Sequence, residues 1–256
     1  MKLENRRQQI IDLLIEQGTV GLDDLAARFG VSKMTIHRDL DDLEGAGMLR
    51  KVRGGASIET SLQFESDFRY RARRDTEAKR RLARAALEMV EPGMTVLVND
   101  GTTASVLAEM LPEKRPLTVI TNNLAAIEAL TDAPGITLLA LGGTYSRKFN
   151  GFFGIVTEEA LGRLRADIAF LSTPAISGTV CYHMDQEVVR SKRGMIDGAA
   201  RAVLLAERRK FGRTALHRLS DLGRFDTVIT DAPLAPDQAA PLIDAKVRIV
   251  VAGNGE

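Results

Sequence analysis

Cysteine is almost absent: Cys181 stands alone in 256 residues. No internal disulfide can form, and no set of sulfur ligands exists for a structural zinc. A reducing, cytoplasmic setting fits. His183 and His217 have no second His or Cys at metal-ligand spacing, so neither a metal nor any other cofactor is expected. Long apolar runs are missing as well. None approaches the roughly 18 residues needed to cross a bilayer, and Met1-Lys2-Leu3-Glu4-Asn5-Arg6-Arg7 is polar where a secretory leader would be apolar. The expectation is a protein neither exported nor embedded in a membrane. An excess of one charge is also lacking: 35 Lys and Arg against 34 Asp and Glu leave a net charge of +1. That excludes a protein that coats nucleic acid through overall charge.

What is present is ordinary for a folded, water-soluble chain, with 45% hydrophobic and 27% charged residues. The length allows a small domain joined to a medium one. Any DNA binding must come from local placement of charge, and three basic stretches stand out: Lys33 to Arg38, Arg50 to Arg53, and Arg69 to Arg84. The last reads first as a solvated helix face with i,i+4 partners such as Glu77 and Arg81.

From Glu4 to Gln17 the apolar residues Ile10, Ile11, Leu13 and Leu14 suit an amphipathic helix, which Gly18 ends. Thr19-Val20 is a short extended piece. Leu22, Leu25, Ala26 and Phe29 then follow at i, i+3, i+4 and i+7, a second helix that stops at Gly30. Ser32 suits the N-cap of a third helix running to about Glu44, with Ile36, Leu40 and Leu43 on one face. Two helices joined by Phe29-Gly30-Val31-Ser32 make a helix-turn-helix, whose second helix enters the major groove N-terminal end foremost. Ser32, Lys33, Met34, Thr35, His37 and Arg38 lie at that end. Asp39, Asp41, Asp42 and Glu44 crowd the other and should point away from phosphates. Met48 to Arg53, Gly54-Gly55 and Ala56 to Ile58 read as strand, turn and strand. Such a hairpin is a wing, with Arg50, Lys51 and Arg53 placed to neutralise phosphates.

Residues 1–58 are therefore expected to form a winged helix-turn-helix domain. Residues 59–76 lack a period and read as a linker that packs on the next domain, and residues 77–256 read as an α/β domain. There, helices at 77–90, 104–111, 124–131, 156–165 and 187–199 alternate with strands at 95–98, 117–121, 136–141, 167–171, 201–206 and 226–230. Val247 to Val251 suits one more strand. This pattern makes a parallel sheet with helices on both faces, and such sheets bind ligands at the carboxyl ends of their strands.

Three of those ends are alike. Asn99-Asp100-Gly101-Thr102-Thr103, Thr121-Asn122-Asn123 and Gly142-Gly143-Thr144 offer small hydroxyl, amide and glycine residues, which leave backbone amides open to an anion. Alone, each is more often a turn or a cap. Together on one edge they point to a polyhydroxy ligand carrying a phosphate. Lys210, in Lys210-Phe211-Gly212, is the candidate point charge on that phosphate, although it reads equally as a solvated surface lysine. Asp100, Asn122 and Glu187 are candidates for sugar hydroxyls. Cys181 reads as a buried small residue.

These motifs together resemble the DeoR family of sugar-metabolism regulators over nearly the whole chain. Val31-Ser32-Lys33-Met34-Thr35-Ile36-His37-Arg38-Asp39-Leu40, Leu43-Glu44 and Arg53-Gly54-Gly55-Ala56 are similar to its recognition helix and wing. Gly101-Thr102-Thr103, Thr121-Asn122, Gly142-Gly143, Glu187 with Met195, Lys210-Phe211-Gly212 and Thr230-Asp231 are similar to its sensor half. The chain departs at His37, where the family usually has arginine, at Asn99-Asp100, where an acid commonly stands two residues before Gly-Thr-Thr, and at Glu207-Arg208-Arg209, where an Asp-Ser pair often precedes Lys-Phe-Gly. The resemblance implies a sensor domain similar to phosphosugar isomerases such as ribose-5-phosphate isomerase, answering to a phosphorylated intermediate.

The function expected is a sequence-specific DNA-binding regulator, a repressor of carbohydrate use. Its partners are operator DNA, a sugar-phosphate-like effector, and further copies of itself as dimer or tetramer, since helix-turn-helix proteins act on repeated half-sites. A competing reading is a sugar-phosphate isomerase with an appended DNA-binding domain, using Asp185 or Glu187 as base and His183 as acid. An RNA-binding role lacks the aromatic platform that single-stranded RNA requires.

Overall fold

The computed structural model describes residues 3–45, 48–57 and 67–253. They fall into two compact units, Met1–Arg74 and Asp75–Glu256.

In the first unit, α1 (Leu3–Gln17), α2 (Leu22–Phe29) and α3 (Lys33–Gly45) enclose a core built on Ile10, Leu14, Leu25, Ile36 and Leu40. Gly30 ends α2 in the left-handed region at φ 62°, returning its amide to Ala26 and Ala27, a turn that favours glycine. Three short strands, β1 (Thr19–Gly21), β2 (Arg50–Val52) and β3 (Gly55–Ser57), form an antiparallel sheet in the order β1-β3-β2. The two wing glycines do different jobs. Gly54 turns at φ 81°, whereas a Cβ on Gly55 would meet Val20 O at 2.0 Å. Ile58 and residues 59–66, expected as the end of the wing and the start of the linker, lie outside the described residues.

In the rest of the expected linker, residues 68–73 form helix α4 (Phe68–Arg73), capped by Asp67, which packs on α1. Arg69 bonds Asp12 at 2.6 Å, Arg73 reaches Ile15 O, Phe68 is buried, and Tyr70 joins the first unit's core.

The second unit is built on seven parallel strands: β4 (Thr95–Val98), β5 (Leu117–Thr121), β6 (Ile136–Ala140), β9 (Ala166–Ser172), β12 (Ala199–Leu205), β14 (Thr227–Thr230) and β15 (Arg248–Val251). Their order is β15-β14-β12-β9-β4-β5-β6. Alternate residues feed two cores. Val96, Val98, Ile168, Phe170, Val203 and Leu205 meet α5 (Thr76–Leu87), α6 (Thr102–Met110) and α7 (Leu124–Leu130). Leu97, Ala169, Leu171 and Leu204 meet α8 (Ile155–Gly162), α9 (Gln186–Asp197) and α10 (Pro236–Asp244). Chain order reverses between β4 and β9, which makes their carboxyl ends the switch point where open α/β sheets take ligands.

Five short strands were not expected. β7 (Thr144–Ser146) and β8 (Gly151–Phe153) form a hairpin after β6, while β10 (Ala175–Ser177), β11 (Val180–His183) and β13 (His217–Asp221) form a small antiparallel sheet.

Candidate functional site

In the first unit the surface of interest is the start of α3 and the wing. Ser32 Oγ accepts the Thr35 amide at 3.2 Å and lies 2.9 Å from Thr35 Oγ1, so both hydroxyls serve the cap. Lys33 pairs with Asp23 at 2.7 Å. Met34, His37 and Arg38 are left as exposed side chains on the outer face, and 62% of Met34 is accessible. The acidic end of α3 is turned inward or matched. Asp39 is buried against Arg6 at 2.5 Å and Arg7 at 3.2 Å, Asp42 pairs with Arg7, and Asp41 with Lys51 at 2.5 Å. Lys51 also gives its amide to Glu44. In the wing, then, Arg50 and Arg53 are the exposed cations, while Lys51 is tied to α3.

In the second unit, the loops after β4 and β5 are drawn into one buried polar cluster. Asn99, Asp100, Thr102, Thr103, Thr121, Asn122 and Asn123 are all buried. Asn123 Nδ2 donates to Asn99 O at 3.0 Å and to Gly101 O at 3.3 Å, and its Oδ1 caps α7 through the Ala125 amide. Thr121 Oγ1 donates to Val98 O at 2.7 Å and accepts the Asn123 amide. Gly101 precedes the first turn of α6, whose amides lack partners within the helix. A Cβ there would lie 1.9 Å from Ser172 Oγ, so β9 presses directly on this loop. The β7–β8 hairpin closes over the cluster: Phe152 N–H donates to Asn122 O, Asn122 Nδ2 donates to Phe152 O, and Gly151 lies against Asp100. Phe149 and Phe153 seat the hairpin on Val188.

Other expected residues stand apart. Gly142 O accepts Thr157 Oγ1 at 2.6 Å, and a Cβ on Gly143 (φ 138°) would strike Phe153 O, so this pair shapes the hairpin. Glu187 is exposed in the first turn of α9, Asp185 caps that helix, and His183 Nδ1 accepts the Asp185 amide at 3.1 Å beside the Phe149 ring. Met195 is core. Lys210 lies after β12, two strands and about 10 Å along the edge from β4. There it bonds Glu207 at 3.1 Å, in a cluster with Lys79, Arg209 and Asp75.

The charges in that cluster are strongly perturbed. Burial alone would raise the Glu207 carboxyl, but Lys210 and Arg209 hold it down at about 2. Burial lowers Lys79 to about 8, with Lys210 and Arg209 acting in the same direction against Glu207 and Asp75. Burial pushes the Cys181 thiol up to about 12, consistent with an inert core residue.

Sequence reading missed Lys79, Ser172 and Lys192. Lys192 is buried, donates to Ser172 O at 2.9 Å and lies 3.6 Å from Asp100. The signal was available: Lys192 follows Val188 by four residues and precedes Met195 by three, a charge on the apolar face of its helix. Lys79 stands likewise three before Leu82.

Among the described residues no helix is long and apolar enough to cross a membrane, and no group of His, Cys, Asp and Glu could hold a metal ion.

Comparison with known proteins agrees along the whole chain. A transcriptional repressor ascribed to the aga operon of Escherichia coli O157:H7 is 34% identical over 253 residues, 97% of this chain and 94% of that protein. The glycerol-3-phosphate regulon repressor of Escherichia coli (strain K12) is 31% identical over 97% of this chain and 99% of its own length. The L-fucose operon activator of Haemophilus influenzae is 31% identical over 91% and 93%. Among solved structures, ribose 5-phosphate isomerase A from Methanocaldococcus jannaschii aligns with 54% of this chain and 55% of its own at 18% identity and a TM-score of 0.39, a likeness too slight to bear on chemistry. Residues 6–62 match the DeoR-like helix-turn-helix domain and residues 74–232 the DeoR C terminal sensor domain. The chain thus belongs to the DeoR family, a DNA-binding transcriptional regulator with a sensor domain for a small effector.

Proposed function

We propose that the protein is a cytoplasmic, homo-oligomeric repressor of a carbohydrate-utilisation operon, released from DNA by a phosphorylated sugar or polyol. On the DNA side, Met34, His37 and Arg38 read bases while Arg50 and Arg53 hold phosphates, with Ser32 and Thr35 fixing the helix start and Lys33 and Lys51 available once their exposed carboxylate partners yield to DNA. The observation that carries the effector reading is the buried polar cluster at the switch point, Asn99 to Thr103 with Thr121 to Asn123, under the β7–β8 hairpin. A buried polar group costs unless it is matched, and in this cluster Asn99 Oδ1 and Asn122 Oδ1 have no hydrogen-bond partner among the described residues.

In this reading the phosphate sits toward the first turn of α6, on the amides of Thr102 and Thr103, with Lys210 and Lys79 supplying charge from the β12 side. The hydroxyls run the other way, to Asn99, Asp100 and Asn122. Glu187, exposed at the start of α9, serves at the rim. Gly142 and Gly143 act by shaping the hairpin.

The isomerase alternative is disfavoured by the same geometry. Asp185 spends its carboxylate on helix-capping bonds, and His183 Nδ1 is engaged as the acceptor of the Asp185 amide. The test is calorimetry of the full chain with pentose and hexose phosphates and the matching free sugars, paired with gel shift on operator DNA. Lys210→Ala should keep DNA binding yet need at least tenfold more effector for release. Preference for the free sugar, an unchanged Lys210 variant, or turnover of a phosphate ester would each overturn its part of the reading.

A further inference from the structure

Two side-chain oxygens at the sensor edge are buried and unmatched, and they define the group that fits there. Asn99 and Asn122 follow the register pair Val98 and Thr121 of β4 and β5, so their backbones stand about 5 Å apart on neighbouring strand ends. Both residues are fully buried. Their surroundings set which way each amide points. Asn122 Nδ2 donates to Phe152 O at 2.9 Å, and Asn99 Nδ2 faces the Asp100 carboxylate at 3.4 Å. A flip of either amide would set oxygen against oxygen. Each Oδ1 is thereby held as an acceptor, and neither has a hydrogen-bond partner among the described residues. Buried acceptors left unmatched in a folded protein call for a donor from elsewhere.

The neighbouring charge narrows the choice. Asp100 is buried beside them, and Lys192, the cation 3.6 Å from that carboxylate, offsets its charge while donating to Ser172 O. An incoming carboxylate would bring only acceptors to two amide oxygens and an acid. A hydroxyl brings a donor to each.

We infer that the end of the effector lodged between Asn99 and Asn122 is a neutral pair of neighbouring hydroxyls, a polyol or sugar terminus, and that the corresponding sugar acid is rejected there. This rests on the proposal that a phosphorylated carbohydrate binds this edge, and it adds which end must be neutral and which two atoms enforce it. Asn99 and Asn122 act as specificity determinants, and the hairpin takes part because Phe152 O fixes the Asn122 amide.

Matched pairs of phosphate esters test this in calorimetry with the full chain: glycerol 3-phosphate against 3-phosphoglycerate, ribitol 5-phosphate against 5-phosphoribonate, and glucitol 6-phosphate against 6-phosphogluconate. In any pair that binds, the alcohol should bind at least tenfold tighter than the acid. Asn99→Ala should narrow that gap to threefold or less, with thermal unfolding confirming that the variant is folded. Equal or tighter binding of the acid by the wild type overturns the inference and leaves the phosphate-ester reading standing. Binding of none of the six esters overturns both.

Discussion

Arg38 and Lys79 are both single cations on helices, yet one acts through exposure and the other through burial. Arg38 sits on the outer face of α3 one turn after Met34, with Lys33, Ser32 and Thr35 already engaged. A bidentate contact from arginine to guanine is worth about 1–3 kcal/mol. Arg38→Ala should therefore weaken specific binding by about 5- to 150-fold while effector binding and thermal stability stay unchanged; a gel-shift affinity within twofold of wild type would contradict this. Lys79 is held near 8, below the usual lysine range, so between about pH 8 and 10.4 the unfolded chain binds the proton that the folded chain has released. Stability from this residue accordingly rises with pH across that window, by about 3 kcal/mol at most at ~1.36 kcal/mol per pKa unit. Lys79→Met should remove the rise, as read by thermal unfolding of both proteins from pH 7.5 to 10.5. Both roles follow from which helix face a charge occupies. The sequence exposed Arg38 readily, because its neighbours on the face are polar, while Lys79 and Lys192 sat unremarked among the apolar residues that bury them.

At the scale of elements, legibility depended on apolar continuity and on where hydrogen bonds go. Strands of the parallel sheet could be placed closely because they are continuous apolar runs set off by helices with a clear 3.6 period; β4 and β5 fall at the expected residues. The hairpin β7–β8 and the sheet β10-β11-β13 have strands no longer than β5 and mixed in polarity, Thr144-Tyr145-Ser146 and His217 to Asp221 among them, so neither a continuous apolar run nor a period emerges. That cost the site its roof, since the hairpin bonds Asn122 and buries Phe149 and Phe153. It also left unseen that Gly142 and Gly143 meet Thr157 and Phe153. The wing was legible through Gly54-Gly55, but the division of labour within it was not. Lys51 answers Asp41 and Glu44, ten and seven residues earlier. Arg50→Ala with Arg53→Ala should weaken binding to all DNA sequences alike and flatten the log-affinity against log-salt slope by about 1.8, at ~0.9 per phosphate contact. Lys51→Ala alone should change the slope by less than either arginine. An unchanged slope in the double variant would place the wing off the DNA.

At the scale of the whole chain, the question is which unit owns the segment before Asp75. Its composition suggested a linker lying on the sensor domain, because arginines and isolated aromatics without a period give no sign of which core they join. The structure gives α4 to the first unit, and the physical reason is specific. Asp12 and Arg69 are 57 residues apart in sequence yet meet at 2.6 Å, and the Tyr70 ring packs against the apolar core of the first unit. A half-buried aromatic ring hides on the order of 100 Å² of apolar surface, about 2.5 kcal/mol at ~25 cal/mol per Å², whereas a part-exposed ion pair adds about 0.2–1 kcal/mol, so Tyr70 is the stronger anchor of the two. The expected outcome is that Tyr70→Ala in the full chain lowers the unfolding transition of the DNA-binding unit and leaves that of the sensor unit in place, with Arg69→Ala a weaker version of the same change. Hydrogen exchange read separately over 3–45 and 76–110 distinguishes the units without cutting the chain. Faster exchange in α1, with α5 and α6 unaffected, places the segment with the first unit; faster exchange confined to α5 and α6 would return it to the sensor domain.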